Sequence, residues 1–232
     1  MAKQIPQLTS DQLDAIRRLG TCMVANAIES FNIRLRNEGY TLPGLKCVTG
    51  NLAPVLGYAA TCRVKSDDPP PIGHSYYDRT DWWDAIELLP TPRVAVLEDV
   101  DSTPGHGASV GEVHASILQA LGCEGVVTNG SVRDIPAAAA MKFPMFATGV
   151  SVSHSYIHMV DFGGPVVIRG LSIRSGDLLY ADCHGVLSIP IEIAAEIPRA
   201  ADKIARERRS IVDLCRSPEF SLEKLRKQVQ QL

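Results

Sequence analysis

Two dipeptides combine residue types that could bind and polarise a small anion. Gly111 and Glu112 stand where a helical pattern begins, and the free N–H groups and dipole of a helix start attract anions. Arg133 and Asp134 follow a short apolar segment and a turn. The Arg133 guanidinium is a planar fork that matches a carboxylate, and the Asp134 carboxylate is a hard ligand for Mg²⁺ or Mn²⁺. An Arg–Asp pair alone more often serves structure, so its position in the fold carries the prediction.

The surrounding elements bring the two dipeptides to one edge of a sheet. Residues 93–97 form a short apolar strand, residues 110–121 show helical periodicity, and the next strand begins at residue 125. This strand–loop–helix–strand order favours parallel strands joined by a right-handed crossover. Ligands of such sheets bind beyond the carboxyl ends of the strands. We therefore expect the start of the helix and the turn at 128–131 to face the same crevice.

The rest of the chain predicts an α/β fold with helices at both ends. Thr9 and Gln12 have the spacing of a capping box, and Ser221 is expected to cap the last helix. Gly57 lies inside an apolar strand, which is typical of a bulge or a close backbone approach. Short apolar segments alternate with glycine turns over residues 144–190, a pattern that favours an antiparallel layer or a small barrel. Loops are predicted over residues 35–53 and, with an acidic composition, over residues 98–107. Helices are predicted over residues 75–89, 136–141 and 191–214, and the last of these is expected to be interrupted near Pro198.

Composition excludes several classes of protein. The chain has 232 residues, 45% of them hydrophobic, and a net charge of -3, which fits one globular domain and gives no reason to expect a nucleic-acid or membrane partner. The beginning of the chain lacks the apolar segment of a signal peptide, and no run approaches the roughly 20 apolar residues of a membrane span. The six cysteines form no Cys-x-x-Cys pair. We expect a cytoplasmic protein with reduced and mostly buried thiols.

The spacing of the two dipeptides also resembles a known family. Twenty residues separate Glu112 from Arg133-Asp134, and this acid-x20-Arg-Asp pattern is accompanied by GCEGVVTNGSVRDI, FPMFATG and IRSGDLLYADCHGVLSIP. Together these segments resemble the RraA-like family over about residues 10–215. Its catalytic branch comprises the class II 4-hydroxy-4-methyl-2-oxoglutarate / 4-carboxy-4-hydroxy-2-oxoadipate aldolases. The resemblance implies a swivelling β/β/α fold in one domain over residues 1–232, with a core at about 20–190 and C-terminal helices at 191–232 for contacts in a homotrimer or hexamer.

The resemblance further implies a function and a set of site residues. The protein would be a divalent-metal-dependent lyase that cleaves 4-hydroxy-2-keto acids of the 4-hydroxy-4-methyl-2-oxoglutarate type to pyruvate, with oxaloacetate decarboxylation as a side activity and no Schiff-base lysine. Mg²⁺ or Mn²⁺ would be held by Asp134 and waters, and Arg133 would bind the carboxylate or enolate of the 2-keto acid. Glu112 would order the water that delivers a proton, and Glu207 of a neighbouring subunit would complete the outer shell of the metal. The backbone amides of Gly111, Glu112, Val113 and His114 would hold the other end of the pyruvyl group.

Two departures from the family pattern leave alternatives open. Ala137 stands where the aldolases often have an acidic residue, and His114 stands where an apolar residue is common. The alternative function is a non-catalytic, ring-shaped regulator that binds a ribonuclease. Members of that kind commonly lose the Asp of Arg-Asp, which this chain keeps at Asp134.

Several other polar residues have ordinary structural interpretations. His114 is about as easily satisfied by the backbone at a helix start as by a substrate. His154 and His158 have i, i+4 spacing, but their surroundings favour a strand, which argues against a shared metal. Asp177 and Asp182 are expected to cap turns and backbone N–H groups.

Overall fold

The computed structural model describes residues 5–50, 53–72, 75 and 78–230. Its seven α-helices within these ranges are α1 Ser10–Arg17, α2 Thr21–Glu29, α3 Asp81–Glu87, α4 Glu112–Ala120, α5 Ile135–Ala140, α6 Ile197–Arg216 and α7 Leu222–Val229. A single turn of 3-10 helix, Ala194–Glu196, precedes α6. The strands are β1 Lys46–Cys47, β2 Val55–Lys65, β3 Arg93–Asp99, β4 Ala108–Val110, β5 Cys123–Thr128, β6 Ser131–Val132, β7 Met145–Ala147, β8 Gly149–Val150, β9 His158–Phe162, β10 Val166–Ile168, β11 Leu171–Ile173, β12 Leu178–Asp182 and β13 Gly185–Ile189. The predicted α/β class is confirmed.

A mixed sheet organises the molecule. Its strands run in the order β1-β7-β5-β3-β2-β12-β13. Strand β2 is long enough to pair with two strands along one edge: its first half pairs with β12, and its second half pairs with β9. The centre is parallel, because β2 pairs with β3, β3 with β5, and β5 with β7 in parallel. The predicted parallel pair around the crossover is therefore confirmed. The hairpins β10-β11 and β12-β13 are antiparallel, as the glycine-punctuated pattern indicated.

Side-chain alternation along the central strands buries both faces of the sheet. On β3, Ala95 and Leu97 pack with Trp82 of α3 and Leu118 of α4, whereas the alternate positions face the β10-β11 hairpin. A third apolar cluster joins β12 and β13 to α1, α2 and α6. Adjacent residues of a strand point to opposite faces, so a continuous apolar run such as that of β3 is what a sheet covered on both sides requires.

The N-terminal predictions are confirmed in detail. Thr9 accepts a hydrogen bond from the Gln12 backbone and the Gln12 side chain accepts one from the Thr9 backbone, which completes the capping box of α1. Ser221 caps α7 by accepting from the Lys224 backbone. A Cβ on Gly57 would lie 2.7 Å from the Pro92 carbonyl oxygen, so the glycine permits a close backbone approach.

Four expectations about local structure are wrong or incomplete. Pro198 does not interrupt a helix, because it lies in the first turn of α6, where a missing N–H has no cost. Residues 35–53 are not loop throughout, since β1 pairs with β7. The helix predicted over 75–89 is reduced to α3, and residues 73–74 and 76–77 lie outside the described part. Most thiols are not buried: only Cys62 and Cys123 are, and all six are free.

A second, smaller sheet lies at the edge where the functional residues occur. Strands β4, β6 and β8 pair in parallel in the order β4-β6-β8, beyond the carboxyl ends of β3 and β5. Strand β4 follows the segment expected to be a loop, and it includes Val110, which was expected to begin the helix. It leads directly into α4, and β6 leads directly into Arg133. None of the described helices is both long and apolar enough to cross a lipid bilayer.

Candidate active site

The pairing of β4 with β6 places the two dipeptides side by side. Val110 lies opposite Val132, and the Arg133 backbone N–H donates to the Val110 carbonyl at 2.9 Å. The next residue on one strand is therefore Gly111, at the start of α4, and the next on the other is Arg133. The start of α4 and Arg133 therefore lie side by side as expected, whereas no residue of the turn at 128–131 lines the cavity described below.

Asp134 turns back towards the start of α4. Its backbone is left-handed, with φ 55° and ψ 38°, a conformation that Asp tolerates better than most residues. Asp134 Oδ2 accepts a hydrogen bond from the Glu112 backbone N–H at 3.0 Å. No side chain of α4 itself caps that helix, so the carboxylate from another segment satisfies one of its free N–H groups and complements its dipole.

Gly111 is required by this approach. A Cβ at position 111 would lie 2.5 Å from Asp134 Oδ2 and 3.0 Å from Arg133 Nε. Contacts under 3.0 Å are not found for real Cβ atoms, and here both neighbours belong to the site. The backbone of Gly111 is extended, so the constraint comes from the close packing and not from φ.

The charges of the site are open to solvent on one side. Arg133 Nε lies 3.6 Å from Asp134 Oδ2, and the two side chains are 37% and 42% exposed. Within the described part of the chain, Asp134 Oδ1 receives no hydrogen bond. One carboxylate oxygen is thus engaged by the backbone of α4, while the described residues leave the other available to a ligand. This donor set fits Mg²⁺ or Mn²⁺, which usually bind through one or two carboxylates and keep several waters or substrate oxygens.

A cavity of about 380 Å³ opens at this point. Its size lies within the range of roughly 300–1,000 Å³ that is typical of small-molecule sites. The described residues that line it come from four segments: Pro70 and Ser75; Ala108, Gly111, Val113 and His114; Arg133 and Asp134; and His154, Ser155, Tyr156 and Ile157.

His114 lies in the wall in its uncharged form at neutral pH. The pKa of His114 is lowered to about 4, chiefly by burial and also by the Arg133 charge, while a hydrogen bond with the Ser109 backbone opposes both. A protonated imidazole beside a guanidinium would be poorly solvated and repelled. The hydrogen bond with the backbone bears out the structural interpretation of His114, and its contact with a substrate stays a prediction, although the residue lines the cavity.

The loop between β3 and β4 is held by a buried carboxylate. Asp99 Oδ2 accepts from the Gly105 backbone at 2.7 Å, and Asp99 Oδ1 accepts from the Asp101 backbone at 3.0 Å. Asn129 exchanges two hydrogen bonds with the Asp99 backbone, which ties the end of β3 to the turn before β6. Burial raises the pKa of Asp99, and the two N–H donors oppose that rise. The acidic residues of this loop therefore position β4 and the start of α4.

The predicted site residues do not all meet at the cavity. Gly111, Val113, His114, Arg133 and Asp134 line it. Glu112 contributes its backbone N–H to Asp134, but its exposed side chain is not part of the cavity wall. Glu207 lies on α6 in a separate groove with Phe31 and Arg206. Its predicted role belongs to the cavity of a neighbouring subunit and stays a prediction.

Sequence reasoning missed the wall formed by residues 154–157. His154 was considered only as a metal ligand, and Tyr156 and Ile157 carried no motif. His158 begins β9, as its strand-like surroundings indicated. The one available signal was an apolar pair, Tyr156 and Ile157, within a stretch of serines and histidines.

A second group of potential ligands lies elsewhere. One ligand atom each of Asp182, Cys183 and His184 falls within 4.8 Å of the others. Asp182 already accepts from the backbone and hydroxyl of Thr21 and from the His184 backbone, at 2.9, 2.7 and 2.9 Å. Burial raises the pKa of Asp182, but these hydrogen bonds outweigh it and the net shift is downwards. The capping role predicted for Asp182 is confirmed, and Asp177 likewise accepts from the Arg174 backbone.

Comparison with known proteins agrees with this arrangement. The sequence profile of the RraA-like family, described as Aldolase/RraA, matches residues 21–188, which include every cavity residue described above. The chain belongs to the RraA-like family. A family relative from Halalkalibacterium halodurans, named "Putative 4-hydroxy-4-methyl-2-oxoglutarate aldolase", is 29% identical over 179 residues, which are 72% of this chain and 80% of that protein.

Solved structures show the same RraA-like fold. An uncharacterised protein from Pseudomonas syringae pv. tomato superposes with a TM-score of 0.74 at 23% identity over 98% of both chains. Streptomyces coelicolor RraAS2, described as an unusual member of the RNase ES inhibitor RraA protein family, gives 0.68 at 20% identity over 88% of this chain and 96% of that one. At these identities the likeness establishes the fold alone.

Proposed function

We propose that this protein is a divalent-metal-dependent lyase that cleaves 4-hydroxy-2-keto acids to pyruvate. The observation that carries the proposal is the meeting of Arg133, Asp134 and the start of α4 at the mouth of one cavity. The aldolase name of the Halalkalibacterium relative supports the same reaction class.

The residues of the chain account for binding the pyruvyl group. Arg133 offers paired N–H donors to the C1 carboxylate, and its fixed charge stabilises the negative charge that develops as the enolate forms. The N–H groups at the start of α4, from Val113 and His114, receive the other end of the pyruvyl group. Asp134 would hold Mg²⁺ or Mn²⁺, which acts as a Lewis acid on the keto oxygen when it is bound.

Cleavage then redistributes one bonding pair. The C3–C4 bond breaks, the C4 hydroxyl loses its proton to solvent, and C4 leaves as a carbonyl compound. The electron pair stays on C3 as the pyruvate enolate, beside the Arg133 charge. Water returns a proton to C3, and we assign the ordering of this water to Glu112, although its exposed side chain lies outside the cavity wall. Oxaloacetate would give the same enolate by losing CO₂, which accounts for a decarboxylase side activity.

The test measures enolate chemistry directly. The pyruvate methyl group is followed by ¹H NMR in D₂O, and pyruvate release is followed from 4-hydroxy-4-methyl-2-oxoglutarate and from oxaloacetate, each with Mg²⁺, with EDTA and with metal alone. We expect protein-dependent exchange and cleavage that EDTA removes. Rates no higher than those of the metal alone, in all three reactions, would refute the proposal.

Two variants assign the roles. Asp134→Asn should remove the metal-dependent rate, and Arg133→Ala should lower it by about 10²–10³-fold, the usual effect of removing one group that stabilises developing charge. Asp11→Asn is the matched control, because Asp11 is an exposed carboxylate on α1 outside the cavity. The alternative, a regulator that binds a ribonuclease, rests on the fold. It predicts no lyase activity and a ribonuclease affinity that Asp134→Asn leaves unchanged.

A further inference from the structure

The turn between β12 and β13 brings three kinds of metal ligand together. Asp182 pairs with Gly185 across this hairpin, so Cys183 and His184 are the two residues of its loop. His184 Nδ1 lies 3.0 Å from Asp182 Oδ1 and 3.4 Å from Cys183 Sγ. One ligand atom of each residue lies within 4.8 Å of the other two. A carboxylate oxygen, an imidazole nitrogen and a thiol sulfur therefore converge on one small space.

The separations are those that a tetrahedral zinc ion requires. Zn²⁺ binds sulfur at about 2.3 Å, nitrogen at about 2.0–2.1 Å and carboxylate oxygen at about 2.0–2.2 Å. At tetrahedral angles, these bonds place nitrogen about 3.5 Å from sulfur and about 3.4 Å from oxygen. The same nitrogen of His184 faces both partners. A proton relay of the Cys–His–Asp kind would instead use both ring nitrogens, so the geometry fits a shared metal and not a relay.

The Asp182 carboxylate is already held in place. Its Oδ1 accepts from the Thr21 hydroxyl at 2.7 Å, and its Oδ2 accepts from the Thr21 backbone N–H at 2.9 Å. Burial raises the pKa of Asp182, but hydrogen bonds from Thr21 and His184 outweigh it, so the group is ionised at neutral pH. Hydrogen bonds of this kind orient a carboxylate that binds a metal.

Solvent reaches the other two ligands. Cys183 is exposed and free, and the His184 side chain is 61% exposed, compared with 15% for Asp182. Asp182 and Cys183 also line a cavity of about 180 Å³, which has room for a small further ligand. Cys47 lines this cavity, but its thiol is not one of the three clustered ligand atoms among the described residues. A metal here would have three protein ligands and one open position, as in zinc sites that keep a bound water.

We propose that Asp182, Cys183 and His184 form a Zn²⁺ site whose fourth position is open to water. On binding, the metal takes the place of the proton between His184 Nδ1 and Asp182 Oδ1, and the Cys183 thiol releases its proton to solvent. Mixed sulfur, nitrogen and oxygen donors select Zn²⁺ over Mg²⁺, which prefers oxygen alone.

This site is separate from Asp134 and does not depend on the proposed lyase function. Ala181 pairs with Val55, the first residue of β2, so the turn lies beyond the amino end of β2. The candidate active site lies beyond the carboxyl ends of β3 and β5, which run parallel to β2.

Cobalt reports a thiolate ligand directly. The full chain is stripped of metal with EDTA, kept reduced with a phosphine, freed of EDTA and titrated with Co²⁺. A tetrahedral Co²⁺ ion bound to a thiolate shows sulfur-to-metal charge transfer in the near ultraviolet and strong visible bands, which an oxygen-only site such as Asp134 lacks. We expect both signals to saturate at one Co²⁺ per chain and to disappear when one Zn²⁺ is added. Absence of the charge-transfer band would overturn the proposal.

Variants assign the signal to the turn. Cys183→Ser should abolish the charge-transfer band and weaken Zn²⁺ binding by about 100-fold or more, since loss of even an outer-shell partner costs roughly 10–100-fold. His184→Asn should weaken Zn²⁺ binding to a similar extent. Cys215→Ser is the matched control, because Cys215 is also an exposed free thiol but lies on α6.

Two results would place the metal elsewhere and overturn the proposal. One is a charge-transfer band that persists in Cys183→Ser, and the other is a band that Cys215→Ser removes. Asp134→Asn should keep the band and the Zn²⁺ affinity of the wild type, because its carboxylate belongs to the other site. Loss of the band in Asp134→Asn would show that the two sites are not separate.

Discussion

The replacement Gly111→Ala tests the close approach on which the site depends. The added methyl carbon would lie 2.5 Å from Asp134 Oδ2, 3.0 Å from Arg133 Nε and 3.1 Å from Arg133 Cγ. Normal van der Waals contact begins about 1 Å further out, near 3.5 Å. Asp134 must therefore move, and the hydrogen bond that it accepts from the Glu112 N–H is lengthened or lost.

The expected magnitude follows from that hydrogen bond. A hydrogen bond to a charged group contributes about 1.5–3 kcal/mol, and the lower end applies here because the Asp134 side chain is 42% exposed. Alanine also lowers the conformational entropy of the unfolded chain, and this effect offsets about 0.5 kcal/mol of the lost stability. The net loss of about 1 kcal/mol lowers Tm by roughly 2–4 °C for a chain of this size. Turnover should fall much further, by about 10²-fold, because a shift of about 1 Å misplaces the reacting groups.

The assay pairs thermal unfolding with pyruvate methyl exchange in D₂O. Gly164→Ala is the matched control, since a Cβ there meets nothing within 4 Å and its effect is confined to the unfolded chain. We expect Gly164→Ala to have nearly the Tm and the exchange rate of the wild type. In Gly111→Ala, both the Tm and the exchange rate should be lower. If Gly111→Ala catalyses pyruvate methyl exchange as fast as Gly164→Ala, and the two variants have equal Tm, the close approach of Asp134 to α4 has no functional role.

Two other predictions follow from the described contacts, and a third rests on the resemblance to the RraA-like family. The pKa of His114 is near 4 in the folded protein and about 6.5 in the unfolded chain, so the unfolded chain binds the extra proton between those values. Stability therefore decreases as the pH is lowered through this window. Urea unfolding should show a loss of about 2 kcal/mol from pH 7 to pH 5 that His114→Asn largely removes. Asp182→Ala deprives the start of α2 of its cap and should lower stability by about 2 kcal/mol in the same assay at pH 7. Light scattering should give about three or six times the 25.1 kDa chain mass, for a trimer or a hexamer, and Glu207→Gln should slow pyruvate exchange without changing that mass.

Each of these has a contradicting result. The same pH slope in the wild type and in His114→Asn would show that His114 is not held uncharged by the fold. An unchanged unfolding midpoint for Asp182→Ala would mean that other groups satisfy the start of α2. A monomer in solution would remove the basis for the cross-subunit role of Glu207.

Local sequence patterns predicted much of the fold because they act over short distances. The Thr9–Gln12 capping box depends on residues three apart, and the apolar run of β3 reflects burial on both faces. The crossover before β5 follows from the order strand, helix, strand, because few chain topologies can connect these elements in one sheet. Pro198 was misjudged because its effect depends on its position in the helix, and only the structure gives the first residue of α6.

The sequence by itself determined that Arg133 and Asp134 stand at the end of a strand, separated from Glu112 by twenty residues, and that the start of α4 lies at the same sheet edge. Only the tertiary structure decided what surrounds them. The need for glycine at position 111, the uncharged state of His114 and the cavity wall at 154–157 all arise where distant segments approach within a few ångströms. Such contacts leave no periodic pattern, because packing depends on shape and burial and not on spacing along the chain.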